Sequence, residues 1–324
     1  MILILADAND PHADAVQERL NSRGIVPARL NLDLASLVQT AIRFQAGRWQ
    51  IEQGGHTLDA SNVTVAWPRR LTVNLDLDQE RTLADVGSRL WRNEWNRCLY
   101  GFYYACRNAF WMNPVQAATL TDNKFRQLEL AETVGMNVPP TICSNDKGFL
   151  VEFVRSEVAV ALKFQSQEMY KADDGSVQGI YVNKLLSHDL SDFGGREENP
   201  VVLQRYLEKK FEARYTYVDG EHFVCRIDSQ SSERASIDWR RYDIPNTPHS
   251  AVEPPPDVAA KVEKFMAVAG LSYGAFDFVV DSLDRWWFLE VNTAGQWLWV
   301  EDLAGLPISD KIAESLSRRM RSSQ

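Results

Sequence analysis

What this chain is short of narrows its function first. Its four cysteines, Cys98, Cys106, Cys143 and Cys225, are scattered with no CxxC pair. They read as reduced thiols in a cytoplasmic protein rather than as a disulfide framework. No apolar run approaches the length of a membrane span, so no membrane partner is expected. The opening MILILADAND has no basic stretch and only a short apolar run, so no signal peptide is expected. Basic charge is also in deficit. Thirty-five Lys and Arg face 44 Asp and Glu, for a net charge of −9. A nucleic-acid partner is disfavoured, because phosphate backbones need a basic surface. A metal-nucleotide or a cationic peptide remains compatible. No GxGxxG follows the first apolar run, which removes the dinucleotide reading. There is no internal repeat and no low-complexity segment. What is present is ordinary globular composition: 324 residues, 45% hydrophobic and 24% charged, enough for two or three compact units.

The most informative stretch is YGAFDFVVDSLDRWWFLEVNTAGQWLWVEDLAGLP, residues 273–307. Two apolar strands joined by a turn are predicted, the first carrying Asp277 and the second Glu290 and Asn292. Strand side chains alternate, so Glu290 and Asn292 share a face. Antiparallel pairing brings Asp277 within reach of them. Carboxylates among Phe, Trp and Val are costly unless compensated. A hard cation compensates them, and Asp, Glu and Asn oxygens suit Mg²⁺ that also bridges phosphates. The bland alternative is a hairpin with surface acids at its ends.

The rest of the chain reads in order. A strand at Met1–Ala6, a helix opened by Asp10-Pro11 and ended by Gly24, and a strand near 27–32 predict a small α/β layer. A hairpin follows over 47–58, then a strand at 63–67 ending in WPRR. Arg69 and Arg70 there fit either a solvated edge or an anion contact. Residues 79–110 read as one long helix with an aromatic stripe including Trp91 and Trp95, serving core or a subunit interface. A helix over Thr121–Val134 is expected, capped by Thr121 or Asp122 and closed by Gly135. Lys124 in its first turn opposes the helix dipole, which a nearby anion would explain. Lys163 ends the apolar strand VAVALK, where a lysine is expensive without an anion. The acidic stretch containing Asp189 and Asp192 reads as a solvated loop. A strand at 201–207 leads into a hairpin with Asp219-Gly220 at its turn. Glu212 and Arg214 fall on one face of that hairpin. SQSSERASIDWR with Asp238 and Arg240, a helix at 258–269 and a closing helix at 308–320 complete the chain.

FDFVV followed by FLEVNTAGQW resembles the metal-binding end of the ATP-grasp ligases. ILILADANDPHAD, WPRR, SQSSERASIDWR and GQWLWVEDLAGLPI together resemble a narrower group, the graspetide synthetases of the microviridin type. WPRR departs from the arginine pair followed by proline that relatives usually carry. The resemblance implies a mixed α/β (α+β) ATP-grasp fold. It implies a small α/β N-terminal domain at 1–115, a central lid domain at 116–203, and a C-terminal domain at 204–324 holding Mg²⁺ on Asp277, Glu290 and Asn292. It further implies that Lys124 and Lys163 meet ATP phosphates and that the hinge Gln204, Arg205, Tyr206 and Leu207 meets adenine. Glu212 is the implied ribose acid, with Glu208 as the alternative. Arg214, Asp238 and Arg240 are implied in catalysis, and Asp189 and Asp192 in docking a leader peptide. The implied reaction is ATP-dependent cross-linking of a ribosomal precursor peptide through an acyl-phosphate, by a cytoplasmic homodimer. The alternative is an ATP-grasp ligase joining small molecules.

Overall fold

The computed structural model describes residues 1–73, 75, 86–163, 169–171, 177–179, 183–186, 199–232 and 244–322. Four expected site residues, Asp189, Asp192, Asp238 and Arg240, lie outside the described residues.

The N-terminal part begins with β1 (Ile2–Ala6), α1 (Pro11–Ser22), β2 (Ala28–Asn31) and the short α2 (Leu34–Leu37). A small antiparallel sheet of β3 (Ala41–Gln45), β4 (Arg48–Gln53) and β5 (His56–Asp59) precedes β6 (Val65–Pro68). Then come α3 (Val86–Ala105) and β7 (Phe110–Trp111). The main layer has the order β2-β1-β6-β7, all parallel. All five β1 residues are buried, the continuous apolar run that a strand covered on both faces requires. α3 ends at Ala105, short of residue 110 where the expected helix would end, because the chain then enters β7.

The expected single helix over 121–134 is two: α4 (Val115–Thr121) and α5 (Lys124–Thr133). Asn123 makes the break. Its backbone is extended, and its Oδ1 accepts from the N–H groups of Phe125 and Arg126 at 3.0 and 3.1 Å. The cap is therefore Asn123, neither Thr121 nor Asp122, and Lys124 is the first helical residue. A four-stranded sheet follows, ordered β12-β9-β13-β8, from β8 (Thr141–Ser144), β9 (Val160–Lys163), β12 (Asn183–Leu185) and β13 (Val201–Arg205). The ribbon β10 (Met169–Lys171) and β11 (Val177–Gly179) sits between β9 and β12 in sequence. α6 (Lys147–Ser156), absent from the sequence reading, covers this sheet through Leu150 and Val154. The boundary expected between residues 203 and 204 falls within β13.

The C-terminal sheet has the order β16-β15-β14-β17-β18 and is antiparallel throughout. Its strands are β14 (Phe211–Val218), β15 (Glu221–Ile227), β16 (His249–Ala251), β17 (Tyr273–Val280) and β18 (Trp286–Asn292). One face buries Tyr215, Phe276, Phe278 and Phe288 against Phe265 and Met266 of α7 (Pro256–Ala269). The other face packs Val218, Cys225, Tyr273 and Ala275 into a single core with Ile2, Ile4, Val16 and Trp67. That core also takes in Trp297, Val300 of α8 (Leu298–Ala304), and Ile308 and Ile312 of α9 (Ile308–Ser322). The N-terminal layer thus lies against the face of the C-terminal sheet that carries the predicted ligands.

Candidate active site

Three strands place three charged residues in one row. Arg214 of β14 pairs in register with Asp277 of β17, which pairs with Glu290 of β18. Directly opposed residues point to the same face, so the three side chains meet. Asn292 lies opposite Ala275, two residues further along the same face. The register slips between Asp277 and Phe278: Asp277 faces Glu290, but Phe278 faces Phe288, leaving Leu289 as an extra residue. This bulge reconciles two demands on β18. Phe288 enters the aromatic core on one side, while Glu290 and Asn292 turn to the other.

The row is electrostatically paired. Arg214 Nη1 donates to Asp277 Oδ1 at 2.9 Å, and both side chains are nearly enclosed. Burial alone would lower the Arg214 pKa, but the Asp277 charge more than offsets it and holds the guanidinium above its ordinary value. Lys124 Nζ lies 3.0 Å from Glu290 Oε2. A protein carboxylate thus supplies one anion against its unfavourable position on the helix dipole. Gln127 explains how α5 reaches that place. Its Oε1 accepts from Val291 N–H at 3.0 Å, and its Nε2 donates to Val291 O at 2.8 Å. The buried amide completes the ladder of the edge strand β18 and fixes Lys124 one turn away.

Two carboxylates and one amide, all half-buried and on one face, form a hard oxygen donor set. Among the described residues no group of three His, Cys, Asp or Glu side chains is arranged to hold a metal ion. The residues fit a hard cation such as Mg²⁺ that takes its remaining ligands from outside the protein, and do not form a full protein cage.

The hinge residues divide their roles. Gln204 is buried and donates to Thr141 Oγ1 at 2.9 Å. Arg205 turns outward and pairs twice with Glu157, at 2.7 and 2.9 Å. The N–H groups of Arg205 and Tyr206 are committed to Pro140 O and Ala159 O. The Tyr206 ring lies 4.1 Å from Lys184 Nζ, and its hydroxyl is pushed up to about 12 by burial and the Glu208 and Glu212 charges. Lys163 closes β9, opposite Val202 of β13. The two ribose candidates differ sharply. Glu208 is exposed and paired with Lys184 at 3.2 Å. Glu212 is buried, with Lys209 Nζ at 2.8 Å and Ser229 Oγ donating at 2.9 Å.

Several residues here escaped the sequence reading. Arg69 is not at a solvated edge. It is buried, with Nη1 donating to Ala294 O at 2.6 Å, Nε 3.5 Å from Asp10 Oδ2 and its guanidinium 4.9 Å from the Trp297 ring centre. Only Arg70 is exposed, 3.3 Å from Asp7. Asp122 accepts from Thr293 Oγ1 at 2.9 Å, and burial raises its carboxyl above the usual range against the opposing pull of Thr293 and Lys124. Lys209 also belongs to this group. Its position beside a second lysine, at the end of a strand, gave no sign of the burial it has.

Known proteins share this architecture. A family model described as MvdD pre-ATP grasp domain matches residues 1–119. No curated protein sequence matches the chain. Among solved structures, the chain is similar to a Chryseobacterium gregarium RiPP-associated ATP-grasp ligase in complex with ADP and a leader and core peptide. The TM-score is 0.86 at 26% identity, covering 98% of this chain and 96% of that one. The macrocyclase MdnB from Microcystis aeruginosa MRC gives a TM-score of 0.75 at 27% identity, covering 97% and 98%. MdnC from Microcystis aeruginosa MRC, bound with precursor peptide MdnA, gives 0.82 at 22% identity, covering 98% and 100%. The chain has the ATP-grasp fold, and the row on β14, β17 and β18 lies within the part of the chain that these relatives share.

Proposed function

We infer that this chain is an ATP-grasp ligase of the graspetide synthetase, microviridin-type family, and that it cross-links a ribosomal precursor peptide. The observation that carries the reading is the Arg214–Asp277–Glu290 row with Lys124 and Asn292, in a chain similar over nearly its whole length to ligases solved with ADP and precursor peptides. A side-chain carboxylate of the peptide attacks the γ-phosphorus of ATP and ADP leaves. A Ser or Thr hydroxyl, or a Lys amine, then attacks the acyl-phosphate carbonyl. The new ester or amide forms as phosphate departs, and the attacking group's proton passes to a base.

In this reading Asp277, Glu290 and Asn292 would hold Mg²⁺, which when bound would supply positive charge against the phosphates. Lys124 and Lys163 bind phosphate oxygens. Gln204 and the main chain of Arg205, Tyr206 and Leu207 face the adenine. The N–H groups of Arg205 and Tyr206 are already used, so Leu207 supplies the donor. Glu212 serves the ribose, because Glu208 points to solvent. Arg214 holds Asp277 and, with Arg240, steers the acceptor carboxylate, a task suited to a forked cation. Asp238 takes the proton of the incoming hydroxyl. Asp189 and Asp192 dock the leader. The three units at 1–115, 116–203 and 204–324 act as N-terminal, lid and metal-binding domains of a cytoplasmic homodimer.

Co-expression with a short peptide rich in Thr, Ser, Asp and Glu, encoded beside this chain, tests the reading by mass. Loss of one water per ring is expected, with ADP released. Glu290→Gln should fold and melt within a few degrees of wild type, yet lose turnover at least a hundredfold, about 2.7 kcal/mol in the barrier. Unchanged peptide mass with the wild-type enzyme, or full turnover by Glu290→Gln, would remove the reading.

A further inference from the structure

β18 ends at Asn292, whose pairing with Ala275 is the last in that ladder. The chain beyond it has no strand neighbour to set its path, yet it is held at every residue. Four successive carbonyls each accept from a different side chain. Asn113 Nδ2 donates to Thr293 O at 2.9 Å, and Arg69 Nη1 to Ala294 O at 2.6 Å. The Tyr273 hydroxyl donates to Gly295 O at 2.8 Å, and Arg214 Nη2 to Gln296 O at 3.1 Å. The next N–H, of Trp297, donates to His12 Nε2 at 3.2 Å. Arg69 and His12 belong to the N-terminal layer, so that layer holds a segment that begins at a proposed metal ligand.

We propose that Arg69 is a positioning residue for the ligase reaction. Through the Ala294 carbonyl it fixes the chain that leaves Asn292, and with it the Gln296 carbonyl on which Arg214 rests. The proposal depends on the reading of Asp277, Glu290 and Asn292 as metal ligands. The direction of the Asn292 side chain is set by its backbone on both sides. The ladder fixes the preceding side and the carbonyl clamp the following one. Arg69 is suited to the task because its planar fork can serve two partners at once: Nη1 reaches the Ala294 and Gly295 carbonyls, at 2.6 and 3.4 Å, while Nε faces Asp10 at 3.5 Å. Asp10 beside it compensates the buried charge. The simpler alternative is that Arg69 only fastens the N-terminal layer to the C-terminal sheet. Arg19 provides that comparison, since it joins α1 to Glu301 of α8 at 3.1 Å and makes no hydrogen bond to residues 293–297.

The test is ADP binding to the full chain by calorimetry, with and without Mg²⁺. In the wild type, Mg²⁺ should tighten ADP. In Arg69→Met, metal-free ADP affinity should stay within about twofold, while the Mg²⁺-dependent tightening falls at least fivefold. Arg69→Lys should lie between, because an ammonium is a single point where the guanidinium is a fork. Arg19→Met should melt lower and keep the full Mg²⁺ effect. An Arg69→Met protein with wild-type tightening overturns the proposal alone. If that variant does not fold, Arg69→Lys decides, and an unchanged half-saturating Mg²⁺ concentration overturns it. A wild-type protein whose ADP binding ignores Mg²⁺ overturns the metal-site reading, and the proposal with it.

Discussion

At the scale of single residues, the site depends on close approach as much as on charge. Gly295 is needed for want of space. A Cβ there would lie 2.5 Å from Ala275 Cβ and 2.8 Å from Arg214 Nη2. Neither atom can move cheaply, because Ala275 sits in the sheet and Arg214 is paired with Asp277. Gly295→Ala should therefore push the guanidinium off its partners. Overpacking of this kind costs about 1–3 kcal/mol. We expect a lower melting temperature and at least tenfold slower peptide dehydration. A variant with unchanged kcat and melting temperature would mean that the segment can shift without consequence.

At the scale of elements, α1 couples fold stability to the site. Asp10 caps it, accepting from His12 N–H at 2.8 Å and Ala13 N–H at 3.1 Å. The same carboxylate faces Arg69 at 3.5 Å and His12 Nδ1 at 3.4 Å. Burial pushes the Asp10 carboxyl up, but the His12 hydrogen bond, the Arg69 charge and the Ala13 N–H together hold it well below the usual carboxylate range. A depressed folded-state pKa contributes stability that is present above the unfolded value, near about 3.9, and is lost as pH falls toward the folded one. Asp10→Asn preserves an N-cap while removing the charge. The melting-temperature gap between wild type and Asp10→Asn should be greatest near neutral pH, at least about 2 °C, and shrink below about pH 4. A gap that stays constant from pH 7 to pH 3 would show that the charge at Asp10 contributes nothing.

At the scale of the whole molecule, α3 presents large apolar side chains to solvent. Val86, Leu90 and Tyr104 recur on one face of this helix and are 68%, 58% and 55% exposed. Exposed apolar side chains of that size on one face are the kind of surface that homodimers bury. In the homodimer reading, Leu90→Glu should raise the dimer dissociation constant at least tenfold, seen as a shift toward monomer in sedimentation velocity. A wild-type protein that sediments as a monomer at tens of micromolar, roughly the range of weak specific pairs, would remove the dimer from the account.

The sequence by itself determined the elements that periodicity and turn chemistry encode. The Asp219-Gly220 hairpin stands as read, with positive φ at both turn residues. So does the hairpin that puts Asp277 opposite Glu290. Those features are local: an alternating strand beside a tight turn has few other arrangements, so the face shared by Glu290 and Asn292 could be counted off the chain. The tertiary structure decided what depends on distant neighbours. Gln127 faces inward because β18 passes beside it, its amide meeting Val291, 164 residues away in sequence. Arg69 is buried because the N-terminal layer closes over residues 293–297, a contact no window around WPRR contains. Glu212 and Glu208 are alike in sequence. They part only because the strand of Glu212 lies inside the sheet, where Lys209 and Ser229 satisfy its charge, while Glu208 stays in water. Burial is set by packing at long range, and packing decides which of two equivalent charges is held in place.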